Sequence, residues 1–121
     1  MSFENLWKAS IRYRHASREL EPLLRLVHES LAANDVPSLK GNLLRLLEYL
    51  AGDQGRTDAN CATVHYFFEA AEPLWKSLQS DLRVIFDDMS GTLRESIYAP
   101  HIARTFDSTP EQLLERVRAL G

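Results

Sequence analysis

Two acidic pairs in the sequence have residue types suited to general acid–base chemistry. Asp87 is followed directly by Asp88, and Glu69 precedes Glu72 by three residues. Paired carboxylates act as acid and base when both reach the same substrate. Neighbouring residues on a helix point about 100° apart, so Asp87 and Asp88 do not share a site unaided. We expect these carboxylates to lie on solvated helix faces, and we predict no catalytic residue.

Histidine is the next candidate, because imidazole is a common metal ligand and general base. Di-metal sites in helical bundles place Glu three residues before His, and none of the four histidines has Glu at that position. His65 with Glu69, and His15 with Glu19, are each one helical turn apart and supply half a metal site. Neither pair falls on the apolar face of its helix. The sequence therefore predicts no metal ion and no cofactor.

One arginine and one histidine have the spacing found in a group of ribonucleases. Arg94 and His101 have six residues between them, a spacing that fits the Arg and His of some small all-helical ribonucleases of the HEPN group, although the spacing alone does not identify a family. As a hypothesis, it predicts that both side chains converge in a cleft at a dimer seam. Eleven arginines and four histidines also give such a pair by chance. A HEPN-like ribonuclease using Arg94 and His101 is therefore one alternative function.

Other ligand classes leave little signal. The five glycines are scattered, so no phosphate-binding loop is predicted. Basic residues near the N-terminus alternate with Trp7 and Tyr13, but nearby glutamates dilute the charge, and we do not expect nucleic-acid binding. A small-ligand pocket lined by Trp7, Trp75 and Phe86 is the other alternative function.

Composition describes an ordinary globular chain. It has 121 residues, 45% hydrophobic and 26% charged, with a net charge of −3, which predicts a single helical domain spanning 1–121. The lone Cys61 cannot form an internal disulfide and fits a small buried apolar residue. No signal peptide and no membrane-spanning run is recognised. We expect a cytoplasmic protein with no membrane partner.

An apolar stripe with helical spacing runs from Asp58 to Ile97. Its members are Cys61, Val64, Phe67, Phe68, Ala71, Leu74, Trp75, Leu78, Leu82, Ile85, Phe86, Met89, Leu93 and Ile97. A strand would place Phe67 and Phe68 on opposite faces, so the spacing predicts helix. We expect one helix to end near Ala70, and another to run from Pro73 to about Tyr98.

Four further helices are predicted. The first runs from Phe3 to about Ala16, the second begins around Pro22, and the last begins at Thr109 with a capping box. The third, from about Pro37 to Ala51, carries leucines over an arc of about 140° and needs two neighbours. We place it centrally, between the second helix and the long stripe, with Gly52 as its left-handed end.

These elements predict an all-α, single-domain bundle of about five or six antiparallel helices around the central Leu-rich helix 37–51. Three tyrosines fall outside the apolar stripes: Tyr49, Tyr66 and Tyr98. Exposed aromatic residues are enriched at protein interfaces. We therefore expect a non-catalytic protein-interaction module that forms homodimers or other homo-oligomers through these tyrosines.

Overall fold

Seven α-helices and no β-strand occupy the described part of the chain. The computed structural model describes residues 2–11, 16–78, 80–91 and 109–120. In chain order the helices are α1 (Phe3–Ser10), α2 (Leu20–Ala32), α3 (Val36–Ala51), α4 (Asp58–Ala70), α5 (Glu72–Trp75), α6 (Leu82–Gly91) and α7 (Pro110–Ala119). The all-α fold class is confirmed. None of these described helices combines the length and apolar character needed to cross a bilayer.

Polar side chains fix where the first and last helices begin. Ser2 Oγ accepts a hydrogen bond from the Asn5 amide at 3.3 Å, so α1 is capped as its sequence predicts. At the start of α7, Thr109 Oγ1 accepts from the Gln112 amide, and Gln112 Oε1 accepts from the Thr109 amide at 3.0 Å. Each bond satisfies an amide that the first helical turn leaves without a partner. The predicted capping box is confirmed.

The main helices pack as two trios, each with one helix in the middle. α4 packs between α1 and α6, and α3 packs between α2 and α7. Asn34, at φ 53°, turns the chain sharply from α2 into α3. An ion pair between Arg56 and Glu111 holds the start of α7 beside the 52–57 loop that joins α3 to α4. The Leu-rich helix therefore has two neighbours, as predicted, but its second neighbour is α7 rather than the 58–97 stripe.

One hydrophobic cluster contains buried residues of both trios. Five leucines of α3 are at most 1% exposed: Leu39, Leu43, Leu46, Leu47 and Leu50. In α4 every residue from Asn60 to Phe68 is buried, so this helix has no solvent face along that stretch. A helix covered on all sides is a core element, whereas α3 keeps an exposed side.

A polar cluster is buried where the start of α4 meets two loops. Asn60 is fully buried, and its Oδ1 accepts from the Ser17 amide at 2.7 Å. Its Nδ2 donates to Ser17 Oγ and to the Gly55 carbonyl, both at 2.9 Å. A buried amide side chain is stable only when its polar atoms are bonded. Asn60 therefore ties the 16–19 turn and the 52–57 loop to the core.

Three predicted boundaries differ from the structure. α1 ends at Ser10, not near Ala16. The Ser10 hydroxyl donates to the Trp7 carbonyl at 2.8 Å, and a side-chain bond of this kind competes with the backbone hydrogen bonds that continue a helix. Gly52 is extended, at φ −82°, rather than left-handed. The stripe after Pro73 is divided between α5 and α6 instead of forming one helix, although α4 does end at Ala70 as expected.

Candidate interaction surface

A surface groove lies where the first turns of α3 and α6 meet the last turn of α7. It has a volume of about 200 Å³. Its lining residues are Val36, Pro37, Lys40, Ser80, Asp81, Leu82 and Leu120. We call it the α3–α6–α7 groove. Its walls combine apolar side chains from all three helices with one basic and one acidic residue.

The cap of α3 determines which side chains form the first wall. Asp35 Oδ1 accepts from the Ser38 amide at 3.3 Å, so the helix begins at Val36. Pro37 fits this first turn because the turn needs no amide there. Val36 is 36% exposed, and Lys40, one turn later, lies on the same side of α3.

The second wall is set by the turn that leads into α6. Ser80 Oγ accepts from the Leu82 amide at 3.3 Å. The carbonyls of Ser80 and Asp81 accept from the amides of Arg83 and Val84 at 3.0 and 3.3 Å. Helical spacing therefore extends back to Ser80, and Val84 lies one turn after Asp81 on the same side.

Lys40 and Asp81 give the groove charges of opposite sign on different walls. Neither forms an ion pair with another described residue. The nearby end of α6 differs, because Asp88 there pairs with Arg116 of α7. The groove thus presents one cation and one anion that the described chain leaves without a salt-bridge partner.

Large exposed apolar side chains concentrate near this groove. Within the described residues they are Ile11, 41% exposed, Val36, 36% exposed, and Val84, 55% exposed. Single exposed apolar residues are common, but neighbouring ones beside a concave surface are typical of contact sites. Val36 lines the groove and Val84 lies next to it, so two of the three share this surface.

Neither Tyr49 nor Tyr66 lines this groove. Tyr66 is only 8% exposed and its ring meets that of His65 at 4.8 Å, so the expectation that it faces solvent is wrong. The reason is that α4 is covered on that side too. Tyr49 is half-buried and packs against Gly55. Tyr98 lies outside the described residues. An interface role for the three tyrosines stays a prediction.

The acidic and histidine candidates do not converge. His65 Nε2 lies 3.1 Å from Glu69 Oε2, so this pair meets as its spacing predicts. Asp88 pairs with Arg116, and Glu72 pairs with Lys76 at 3.6 Å. Among the residues that the structure describes, no three His, Cys, Asp or Glu side chains form a group able to hold a metal ion.

The sulfur and the aromatic rings considered for chemistry are packed in the core. Cys61 is buried at 2% exposure, as expected for an apolar role. Trp75 stacks on Phe86 at 5.9 Å, and its Nε1 donates to the Phe68 carbonyl at 2.7 Å. Trp7 stacks instead on Phe3 at 6.1 Å. Trp75 and Phe86 therefore form one stacked pair and Trp7 belongs to another, and the small-ligand alternative stays a prediction. Arg94 and His101 of the ribonuclease alternative lie outside the described residues.

Sequence reasoning missed the groove, although Val84 carried a usable signal. It is an apolar residue out of phase with the stripe formed by Leu82, Ile85, Phe86 and Met89. An apolar side chain off the buried stripe is expected to face solvent. Lys40 and Asp81 carried no such signal, because only the packing of α3, α6 and α7 brings them to one groove.

Comparison with known proteins does not assign a role to this surface. The chain has no significant match to a protein family, to a curated protein or to a solved structure.

Proposed function

We propose that this protein is a non-catalytic helical interaction module that self-associates through the α3–α6–α7 groove and the neighbouring Val84. The observation that carries the proposal is the placement of exposed Val36 and Val84 beside a concave, partly apolar surface. Burial of such side chains against a partner removes apolar area from water, which is the main driving force of association.

The size of the groove supports a protein partner over a small ligand. Sites that enclose small molecules measure roughly 300 to 1,000 Å³, whereas this groove has about 200 Å³. A few side chains of a partner protein fit such a depression. The net charge of −3 is too small to oppose association strongly. The proposed function uses no cofactor, and we place it in the cytoplasm, where the thiol of Cys61, the single cysteine of the sequence, stays reduced.

Sedimentation velocity over a range of protein concentrations tests the proposal. We expect wild-type protein to pass from monomer to dimer as concentration rises. Val84→Asp places a charge on the contact surface and should raise the dissociation constant by about tenfold or more. Its matched control is Ile11→Asp, which alters another exposed apolar residue, 41% exposed against 55% for Val84, that does not line the groove.

Two results would overturn the proposal. One is a wild-type protein that stays monomeric at every concentration tested. The other is equal weakening by Val84→Asp and Ile11→Asp, which would assign the effect to added charge rather than to this surface. Circular dichroism of each variant checks that its helical content is unchanged.

A further inference from the structure

We infer that the partner at the α3–α6–α7 groove is a second copy of this chain, arranged so that Lys40 of each copy faces Asp81 of the other. The inference rests on the proposed self-association and specifies its geometry. It predicts an isologous dimer, in which the same surface of both copies is used.

The first step is the position of the two charges. Lys40 lies on the α3 wall and Asp81 on the α6 wall, and the same groove carries apolar Val36 and Leu82. In a two-fold dimer, residue i of one copy contacts residue j of the other, and j contacts i. A surface that carries a cation from one helix and an anion from another can therefore pair with a second copy of itself across a two-fold axis.

The second step is that both charges are available. Neither Lys40 nor Asp81 forms an ion pair with another described residue of its own chain. Lys40 is half-buried and lines the groove, so part of its side chain is already shielded from water. Contact with a second copy would exclude water from both pairs, and closer, drier pairs interact more strongly than exposed ones.

The two-fold arrangement makes charge reversal a sharp test. Lys40→Glu places two acidic residues on each groove, and Asp81→Lys places two basic residues on each. Since every dimer contains two pairs, each variant alone converts two attractions into two repulsions. We expect either variant to raise the dissociation constant of its homodimer by about tenfold or more.

Mixing the two variants provides the decisive measurement. In a heterodimer of the Lys40→Glu and Asp81→Lys chains, each introduced charge faces one of opposite sign, so both pairs are restored. We expect the mixture to form heterodimers with a dissociation constant within about threefold of wild type. Sedimentation velocity on differently labelled chains measures this directly.

Matched controls come from the same two helices. Arg45→Glu on α3 and Asp87→Lys on α6 reverse exposed charges that do not line the groove. We expect each control to dimerise like wild type and their mixture to gain nothing over either alone.

The possible failures separate the inference from the proposed function. If wild type dimerises but the single reversals leave its dissociation constant unchanged, or if the mixture stays as weak as its components, the Lys40–Asp81 arrangement is wrong while self-association stands. If wild type remains monomeric throughout, self-association and this inference both fall, and the groove is left to a different partner.

Discussion

α3 and α4 are both middle helices, yet their surroundings differ. α3 lies between α2 and α7 and still exposes Gly41, Arg45 and Glu48. α4 lies between α1 and α6, and all its residues from Asn60 to Phe68 are buried. A helix with one solvent side keeps a polar face, but a helix covered on every side must satisfy its polar residues internally.

The polar residues of the two helices have correspondingly different roles. Asn42 of α3 is half-buried and donates to the Leu26 carbonyl at 3.1 Å and to Ser30 Oγ at 2.6 Å, joining α3 to α2. Asn60 of α4 is fully buried and bonds both the 16–19 turn and the 52–57 loop. We infer that α4 organises the connections of the fold, whereas α3 organises one helical layer.

The largest effect is expected from truncating these two asparagines in turn. Asn60→Ala removes three hydrogen bonds at a fully buried site and leaves the Gly55 carbonyl with the Thr57 amide as its donor, so it should lower the free energy of unfolding by about 3 kcal/mol. Asn42→Ala removes two bonds at a half-buried site and should cost about 1 to 2 kcal/mol. Urea unfolding of both variants measures the difference. If both variants lose the same free energy of unfolding, the polar residues of α3 and α4 do not differ in their contribution to stability.

A glycine pair tests the connection between the helices. A Cβ on Gly55 would lie 2.0 Å from the Tyr49 carbonyl oxygen, so Gly55→Ala forces the 52–57 loop away from the end of α3. We expect the free energy of unfolding to fall by about 2 kcal/mol, which is typical of overpacking at a tight site.

Gly41→Ala is the matched control within α3. A Cβ there meets nothing within 4 Å, and Ala is the better helix former. This variant should have a free energy of unfolding about 0.5 to 1 kcal/mol higher than wild type, measured as a rise in thermal midpoint. A stable Gly55→Ala variant would show that the loop moves freely and that Tyr49 does not depend on its close approach.

The comparison also explains how much of the fold the sequence could predict. α3 was assigned correctly from its leucines, because a one-sided helix has a clear period. The caps at Ser2 and Thr109 were found from local side-chain chemistry. The prediction that the 58–97 stripe is the second neighbour of α3 is wrong, because periodicity shows which face is buried but not which helix covers it.

The prediction that Tyr66 faces solvent is wrong for a related reason. Placing it opposite Phe67 and Phe68 on the helix was sound, but the inference that the opposite side faces water fails for a helix buried all round. The α3–α6–α7 groove could not be predicted either. Lys40 and Asp81 are far apart in sequence, and a shared surface between them arises only from tertiary packing.

The smallest predicted effect concerns the ionic contact between the two trios. Arg25 of α2 lies 4.3 Å above the Phe3 ring of α1 and pairs with Glu4 of α1 at 3.3 Å. The pKa of the Glu4 carboxyl is lowered below its ordinary value of 4.5. The larger cause is a hydrogen bond from the backbone to this carboxylate, and the next is its hydrogen bond with Arg25. The folded state therefore favours the ionised carboxylate.

The sign of the pH dependence follows from that lowered pKa. Glu4 stabilises the fold above its unfolded pKa, and this contribution is lost as pH falls through the lower folded pKa. Glu4→Gln should therefore lower the urea midpoint slightly near neutral pH and leave it unchanged in acid well below the ordinary pKa. Both the Glu4 and Arg25 side chains are largely exposed, so added salt should reduce the neutral-pH difference.

Glu115→Gln is the control, because Glu115 pairs with Arg118 at 3.5 Å within α7, and its substitution leaves the contact of Arg118 with Glu48 of α3, at 3.8 Å, in place. If Glu4 links the trios, its substitution should lower the midpoint more than the Glu115 substitution does. If the two variants behave alike, or if the Glu4 effect persists in acid, the ionic contact does not hold α1 to α2. The stacking of Arg25 on Phe3 would then be the contact that matters between these helices, because it does not depend on the charge of Glu4.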